Sequence, residues 1–581
     1  MKPIKIFAPA MLGAAALVLS ACGGPAATPS GSAAPGGSSA APTGGASTPA
    51  ETPAATSSGW DINEQPRESL AQGGTLRLSV TEMMTNWNGA HVNGNQKDNT
   101  DMQAPLSPTY FTFDSGGKPV KNENFLVDFT DEMEGESQVI TIKMNEKAVW
   151  GDGEPITADD WIATVNALNG KDPAFEAAST EGWKDLKSVE KGANDYEVKF
   201  TFTKTYPDWT AIISGGPMRA EAVADANTFN TGWTTLKNEW LSGPYKVESL
   251  TADLLTLVPN DKWWGEAPLL DKVTFKAIAA DAVASAFANQ EIDFLDVGPD
   301  PDGYARASAT PNTVMRKAAG PNFRHFTFNS EAENLKDVKV RQAIVMGLDR
   351  EVIAKSDLAG VDWEPKPLNN NIFLPSQPEY VDLGKETGID YNVEGAKKLL
   401  DEAGWTEGAD GIREKDGAKL NVKFAALTGV KASENEALQA QNMLKEIGVN
   451  LEIVATPVAD FTGGNLLEPG NFDITAFSWI GTPYPLRGID QIYGGSPDNW
   501  GSNFARLSNP ELNELIPQIA VEPDVAKRNE MGQQAAKLIW ESVHTLPLYQ
   551  RPELVATNGK LANYGAFGLG SANWVNVGFQ S

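Results

Sequence analysis

Apolar residues recur along the chain with two distinct periods. Thr75-Leu-Arg-Leu-Ser-Val80 alternates apolar and polar, as do Val139-Ile-Thr-Ile-Lys-Met144 and Tyr196-Glu-Val-Lys-Phe-Thr-Phe202. Each run is bounded by turn residues, and a period of two predicts half-buried strands. Ala, Leu, Ile and Val at three- and four-residue intervals predict helices over 281–290, 338–358, 393–403 and 433–447. Thr157-Ala-Asp-Asp160 has the make-up of an N-terminal cap, starting a helix to about Leu168 with Trp161, Val165 and Leu168 on one face. Gly404 and Gly448 stand where helices stop. Past Gly448, Val449–Val454 and Phe472–Phe477 read as strands. A last helix over 524–543 leads into Leu546-Pro-Leu-Tyr549 and a tail rich in Gly and aromatic residues. Strands mixed with helices predict an α/β body, and no internal repeat is evident.

The N-terminus follows a different logic. Lys2 and Lys5 precede an apolar run from Ile6 to Leu19, the layout of a secretory signal over 1–21. The run is shorter than the ~20 residues a bilayer requires, and Pro9 and Gly13 interrupt it. Leu19-Ser20-Ala21-Cys22 resembles the bacterial lipobox, which makes Cys22, the one cysteine in the chain, the expected lipidation site. An exported protein with a single thiol has no disulfide partner for it. A tether is expected over 22–68; from Gly23 to about Ser58 it is Ala, Gly, Pro, Ser and Thr with Glu51 as its only charge, too poor in apolar side chains to form a core.

The formal charge of −29 becomes −31 once Lys2 and Lys5 leave with the signal. An acidic body repels nucleic acid and anionic lipid, so attachment to the membrane is expected through Cys22 alone. The 581 residues suffice for two to four domains. Signatures of enzymatic chemistry are missing. His91, His325 and His544 are far apart, and the chain has no H-E-x-x-H, G-x-S-x-G, Walker-type loop, G-x-G-x-x-G or C-x-x-C. Neither catalytic residues, cofactor nor metal site is expected. Asp300-Pro-Asp-Gly303 lacks the oxygen ligands of a calcium loop and reads as a turn; Trp150-Gly-Asp-Gly-Glu-Pro155 reads as a tight loop rather than as paired catalytic carboxylates at Asp152 and Glu154. The 16 tryptophans include Trp87, Trp150, Trp263, Trp264, Trp479 and Trp500 near Gly- and Pro-rich loops, where core packing competes with the lining of a wide cleft.

Several segments, in order, resemble the large solute-binding proteins of dipeptide and oligopeptide ABC importers (solute-binding protein family 5). They are Gly73-Gly-Thr-Leu76; Val139 to Asp160 with its Trp150-to-Asp160 motif; Gly243-Pro-Tyr-Lys246; Asn260-Asp-Lys-Trp-Trp264; Leu270-Asp-Lys-Val273; Val340-Arg-Gln-Ala343 with Leu348-Asp-Arg350; and Ala396 to Gly404. The resemblance implies an α/β, two-lobed periplasmic-binding-protein-like fold of the large peptide-binding class. Lobe one would span 69–315 with a subdomain inserted at about 111–229, lobe two 316–545, and 546–581 would return to lobe one. Crossings are expected near Lys317–Thr327 and His544–Arg551.

The resemblance further implies that an extended ligand lies between the lobes, bonded through its main chain to Glu82, Met83, Met84 and Thr85, with Trp87 nearby, and to Phe477, Ser478, Trp479, Ile480 and Gly481. Relatives usually carry an Asp after the motif's Trp to pair with the ligand ammonium; here the chain reads Ile480-Gly481-Thr482-Pro483-Tyr484-Pro485. A hydroxyl at Thr482 cannot supply that charge-assisted bond. Asp490 or Glu82 could replace it, and Tyr484, Tyr493 and Trp500 could stack on sugar rings or bulky side chains. The expected function is a lipid-anchored, monomeric receptor in the cell envelope that delivers a peptide-like ligand to ABC importer membrane subunits. A receptor or sensor for a glycolipid, oligosaccharide or other non-peptide solute is the alternative, ahead of a hydrolase.

Overall fold

The computed structural model describes residues 59–581; the signal, Cys22 and the tether as far as Ser58 lie outside the described residues. Three hydrophobic cores organise the body. The first gathers Leu76, Leu78, Leu257 and Phe275 with Leu561 and Trp574 of the C-terminal tail. Its sheet runs Thr75–Val80, Lys272–Ala277, Leu254–Pro259, Tyr245–Leu250, with the first pair parallel and Thr75–Val80 at the edge. The alternation of Thr75–Val80 is an alternation of burial. Leu76, Leu78 and Val80 face the core, and Arg77 turns outward onto Asp293 in a two-bonded ion pair of 2.7 and 2.9 Å.

The second core is built on the antiparallel sheet Leu126–Glu134, Ser137–Met144, Glu197–Phe202, Leu186–Lys191, with helix Ala158–Leu168 packed on it. The Thr157–Asp160 capping box forms, with the Thr157 amide donating to Asp160 Oδ2 at 2.9 Å. The Ala220 amide donates to Asp160 Oδ1 at 2.8 Å and Trp150 Nε1 to Oδ2 at 3.2 Å. One buried carboxylate therefore ties together the Trp150 loop, the helix start and the segment at Ala220. This is a physical reason for Trp150 and Asp160 to occur as one motif. The loop closes as a tight turn, with the Trp150 amide donating to the Glu154 carbonyl at 2.8 Å.

The third core surrounds a six-stranded sheet in the order Phe294–Asp296, Thr545–Asn558, Thr313–Phe328, Ile474–Trp479, Asn421–Leu427, Asn450–Thr456. Two of its strands cross between the halves of the molecule. The outgoing strand, Thr313–Phe328, pairs antiparallel with the return strand, Thr545–Asn558, from Thr313 opposite Asn558 to Thr327 opposite Thr545; the register shifts between Ala319 and Phe323 and again between Arg324 and His325. Beyond the first shift the outgoing strand is buried almost continuously, because Phe326 and Phe328 enter the third core while Phe323 packs on the other face against Leu368 and Leu374. The two lobes are thus joined by a paired ribbon.

Two predicted elements differ from the observed ones. The helix expected over 338–358 is two helices, Val338–Met346 and Arg350–Asp357, because the Asp349 carboxylate accepts from the amides of Glu351 and Val352, both at 3.1 Å, and caps a new start. Asp300-Pro-Asp-Gly303 is a helix N-terminus rather than a turn. Asp300 accepts from the Asp302 amide at 3.2 Å, and Pro301 opens helix Pro301–Ser308, where its missing N–H costs nothing.

Candidate functional site

The two segments expected to hold a ligand belong to different sheets, one following Thr75–Val80 and the other ending Ile474–Trp479. Glu82–Thr85 follows the edge strand Thr75–Val80. It is held near helix Lys97–Gln103, where the Thr81 amide donates to Asp98 Oδ2 at 2.7 Å. Glu82 and Thr85 are exposed and Met83 is half-buried, but Met84 and Trp87 are 7% and 1% exposed and belong to the first core. On the other side, Ile474–Trp479 pairs with Phe323–Phe328 along its length and with Asn421–Leu427 only at Ile474 and Thr475. From Ala476 to Trp479 its second edge has no strand partner among the described residues. The Gly481 amide then donates to Asn322 Oδ1 at 3.2 Å, and a Cβ on Gly481 would lie 2.1 Å from the Pro321 carbonyl oxygen, so only glycine allows this approach.

Aromatic rings back this free edge. His325, Trp479 and Phe504 stack nearly parallel, at centroid separations of 5.6 and 6.0 Å and interplanar angles of 7° and 6°, with Phe477 edge-on to His325 at 4.3 Å. Burial, helped by the Arg324 charge, holds His325 well below its ordinary pKa and therefore neutral. Phe477 is buried, Ser478 and Trp479 are half-buried and Ile480 is exposed, so the segment passes from core to solvent over four residues.

The remaining predicted residues divide. Thr482 is exposed, and its hydroxyl accepts from the Tyr484 amide at 3.2 Å, so it serves its own turn. Asp490 is exposed on the first turn of Ile489–Tyr493. Tyr493 is not free to stack on a ligand: it is 2% exposed, with its hydroxyl donating to the Asn371 carbonyl at 3.1 Å. Trp500 is half-buried beside Gly495. Tyr484 reaches the other lobe, with its hydroxyl 2.9 Å from Thr210 Oγ1 and its ring edge-on to Phe113 at 5.9 Å. Close by, Arg528 makes a two-bonded ion pair with Asp208 at 2.8 and 2.5 Å, and Arg487 another with Glu181 at 3.0 and 3.1 Å. These contacts join the second core to the third.

Sequence reasoning missed the charged groups at the crossing, because nothing local marks them. Tyr549, Arg551 and Glu553 share one face of the return strand by its period of two. Arg324, opposite Tyr549, is bonded through two nitrogens to fully buried Glu436, both at 2.6 Å. Asp357 accepts from the Tyr549 hydroxyl at 3.2 Å, and burial, reinforced by the nearby Glu436, pushes it up to about 8. Burial likewise raises Glu553 to about 7, although the Gly568 amide donates to it at 2.7 Å. Asp296 is solvent-exposed, yet desolvation raises its pKa against the opposing Lys97 ammonium. Cavities of about 420 and 370 Å³ lie elsewhere, one beside Asn312 and Gly559, the other between helices Pro510–Ile519 and Val525–Ser542. Among the described residues no group of three or more His, Cys, Asp or Glu could hold a metal ion, and no helix is long and apolar enough to cross a membrane.

Comparison with known proteins places this geometry. The family described as bacterial extracellular solute-binding proteins, family 5 (middle), matches residues 129–500. The oligopeptide-binding protein OppA of Mycobacterium tuberculosis is 34% identical over 536 residues, covering 91% of this chain and 89% of the relative. The periplasmic EDTA-binding protein EppA superposes with a TM-score of 0.77 at 24% identity, covering 90% of this chain and 98% of that one. The oligopeptide-binding protein AppA of Bacillus subtilis, in complex with a nonapeptide, superposes with a TM-score of 0.66 at 23% identity, covering 88% and 100%.

Proposed function

Because this chain belongs to the bacterial extracellular solute-binding proteins of family 5, we propose that it is the receptor of an ABC importer, binding a peptide or peptide-like ligand between its lobes. The observation that carries the reading is the unpaired edge at Ala476–Trp479, on a strand whose other edge pairs with the ribbon that joins the lobes. A free strand edge bonds the main chain of an extended peptide whatever its side chains, which yields affinity with little sequence preference. The second expected segment, Glu82–Thr85, follows an edge strand of another sheet. A ligand touching both favours the closed arrangement, and the importer's membrane subunits read that arrangement.

The protein is taken to act as a monomer in the cell envelope, held by a lipid on Cys22, whose position after Leu19-Ser20-Ala21 supports the assignment. Cys22→Ala is expected to release it from the membrane fraction in a detergent-free wash; retention there would overturn the anchor. For the ligand, mass spectrometry of gently purified protein is expected to find co-purifying peptides. Recovery of glycosides or other non-peptide solutes alone would replace the peptide reading.

A further inference from the structure

The shared face of the return strand carries one charge that no other described residue answers. Every other buried or half-buried arginine among the described residues donates to an oxygen: Arg324 to Glu436, Arg350 to Asp390, Arg413 to Asp401 and Arg528 to Asp208 among the ion pairs, and Arg341 to the carbonyls of Leu335 and Ser542. Arg551 is half-buried and has no hydrogen bond or ion pair among the described residues. It lies between the lobes. Arg324 and Glu436 of lobe two and Asp296 of lobe one all act on it electrostatically, but none within ion-pair distance. Arg324 is already committed to Glu436 through two bonds, so Arg551 is the guanidinium left with its donors open. Burial pushes it below its ordinary value, and a guanidinium keeps its charge in proteins.

A half-buried guanidinium without an acceptor is an unfavourable state that an arriving anion relieves. Its planar fork matches a carboxylate bidentately. It stands opposite the Gly320–Asn322 interruption of the outgoing strand, where Gln550, the preceding residue, donates to the Gly320 carbonyl at 2.8 Å and the Gly481 amide donates to Asn322 Oδ1.

We propose that Arg551 is the anion anchor of the cleft, receiving a ligand carboxylate that is either the C-terminal carboxylate of a peptide or an acidic side chain. The proposal rests on the peptide-receptor reading and adds a specificity to it. The test offers the protein an equimolar pool of random peptides two to nine residues long, half with free and half with amidated C-termini, and identifies by mass spectrometry those retained. Retention of free acids over amides by tenfold or more identifies the C-terminal carboxylate as the source; enrichment of Asp or Glu among retained amides identifies a side chain. Arg551→Gln is expected to abolish whichever preference is seen while still retaining peptides, and Arg551→Lys, which keeps the charge without the fork, to weaken it. The melting temperature of each variant monitors its fold. Equal retention of acids and amides by the wild type without Asp or Glu enrichment, or an unchanged preference in a folded Arg551→Gln, overturns the anchor alone. Retention of no peptide overturns the receptor reading itself.

Discussion

At position 482, where the resemblance implies an acid, a threonine hydroxyl is occupied by its own turn, and the candidates Glu82 and Asp490 are both exposed. The interaction of a buried carboxylate with a ligand ammonium is worth several kcal/mol when truncated on one side. Acetylating the N-terminus of a bound peptide is therefore expected to cost less than about tenfold, roughly 1.4 kcal/mol, by calorimetry. A loss of a hundredfold would show that another acid has taken the role, with Asp296 the first to replace. Asp357 makes a second, independent prediction. Burial raises its pKa to about 8 from an unfolded value of 3.8, so between those values the folded state holds a proton that the unfolded chain has lost. Stability from this group is present below the unfolded value and falls as pH rises toward about 8. Asp357→Asn is expected to flatten that decline in urea unfolding measured from pH 5 to 8; an unchanged slope would show that other groups carry it.

Among elements, legibility followed exposure. Strands and helices with one face in water announced themselves: Thr75–Val80 by its alternation, and Ala158–Leu168 by its cap and apolar stripe. Leu126–Glu134 did not, because every residue after Leu126 is exposed and its sequence carries no period. The outgoing strand was hidden for the opposite reason: beyond Gly320-Pro321-Asn322 it is buried on both faces, and that interruption splits its pattern. The side chains of Trp87 and Tyr493 fill cores instead, because a side chain near a loop looks the same in sequence whether it lines a cleft or fills a core. Arg551 could not have been found at all, since its distinction is the lack of a partner. The capping motif gives the element-scale prediction. Thr157→Ala is expected to cost about 1 kcal/mol in denaturant unfolding, the typical worth of an N-cap. Asp160→Ala should cost more, because it also strands Trp150 Nε1 and the Ala220 amide. Equal losses would mean that the helix start is all that Asp160 supports.

For the whole molecule, Arg528–Asp208, Arg487–Glu181 and Tyr484–Thr210 join the second core to the third. The Arg528–Asp208 side chains are only 11% and 10% exposed, and the pair is two-bonded, so it is screened less than a surface pair. Together such pairs can bias opening by about 1–2 kcal/mol, a shift of roughly tenfold in population. Arg528→Gln is expected to enlarge the radius of gyration of the unliganded protein in X-ray scattering and to weaken ligand binding, with the scattering difference vanishing once ligand saturates the cleft. An unliganded radius identical to that of the wild type would show that closure does not depend on this pair.

The paired ribbon has a consequence for how the chain comes to be folded. Arg316 of the outgoing strand meets Thr557 of the return strand 241 positions later, and Leu561 and Trp574 complete a core begun at Leu76. Closing so long a loop is entropically slow. As the exported chain emerges, its second lobe, contiguous between the crossings, is the part able to fold first. The first lobe must wait, unfinished, for the last segment to thread back.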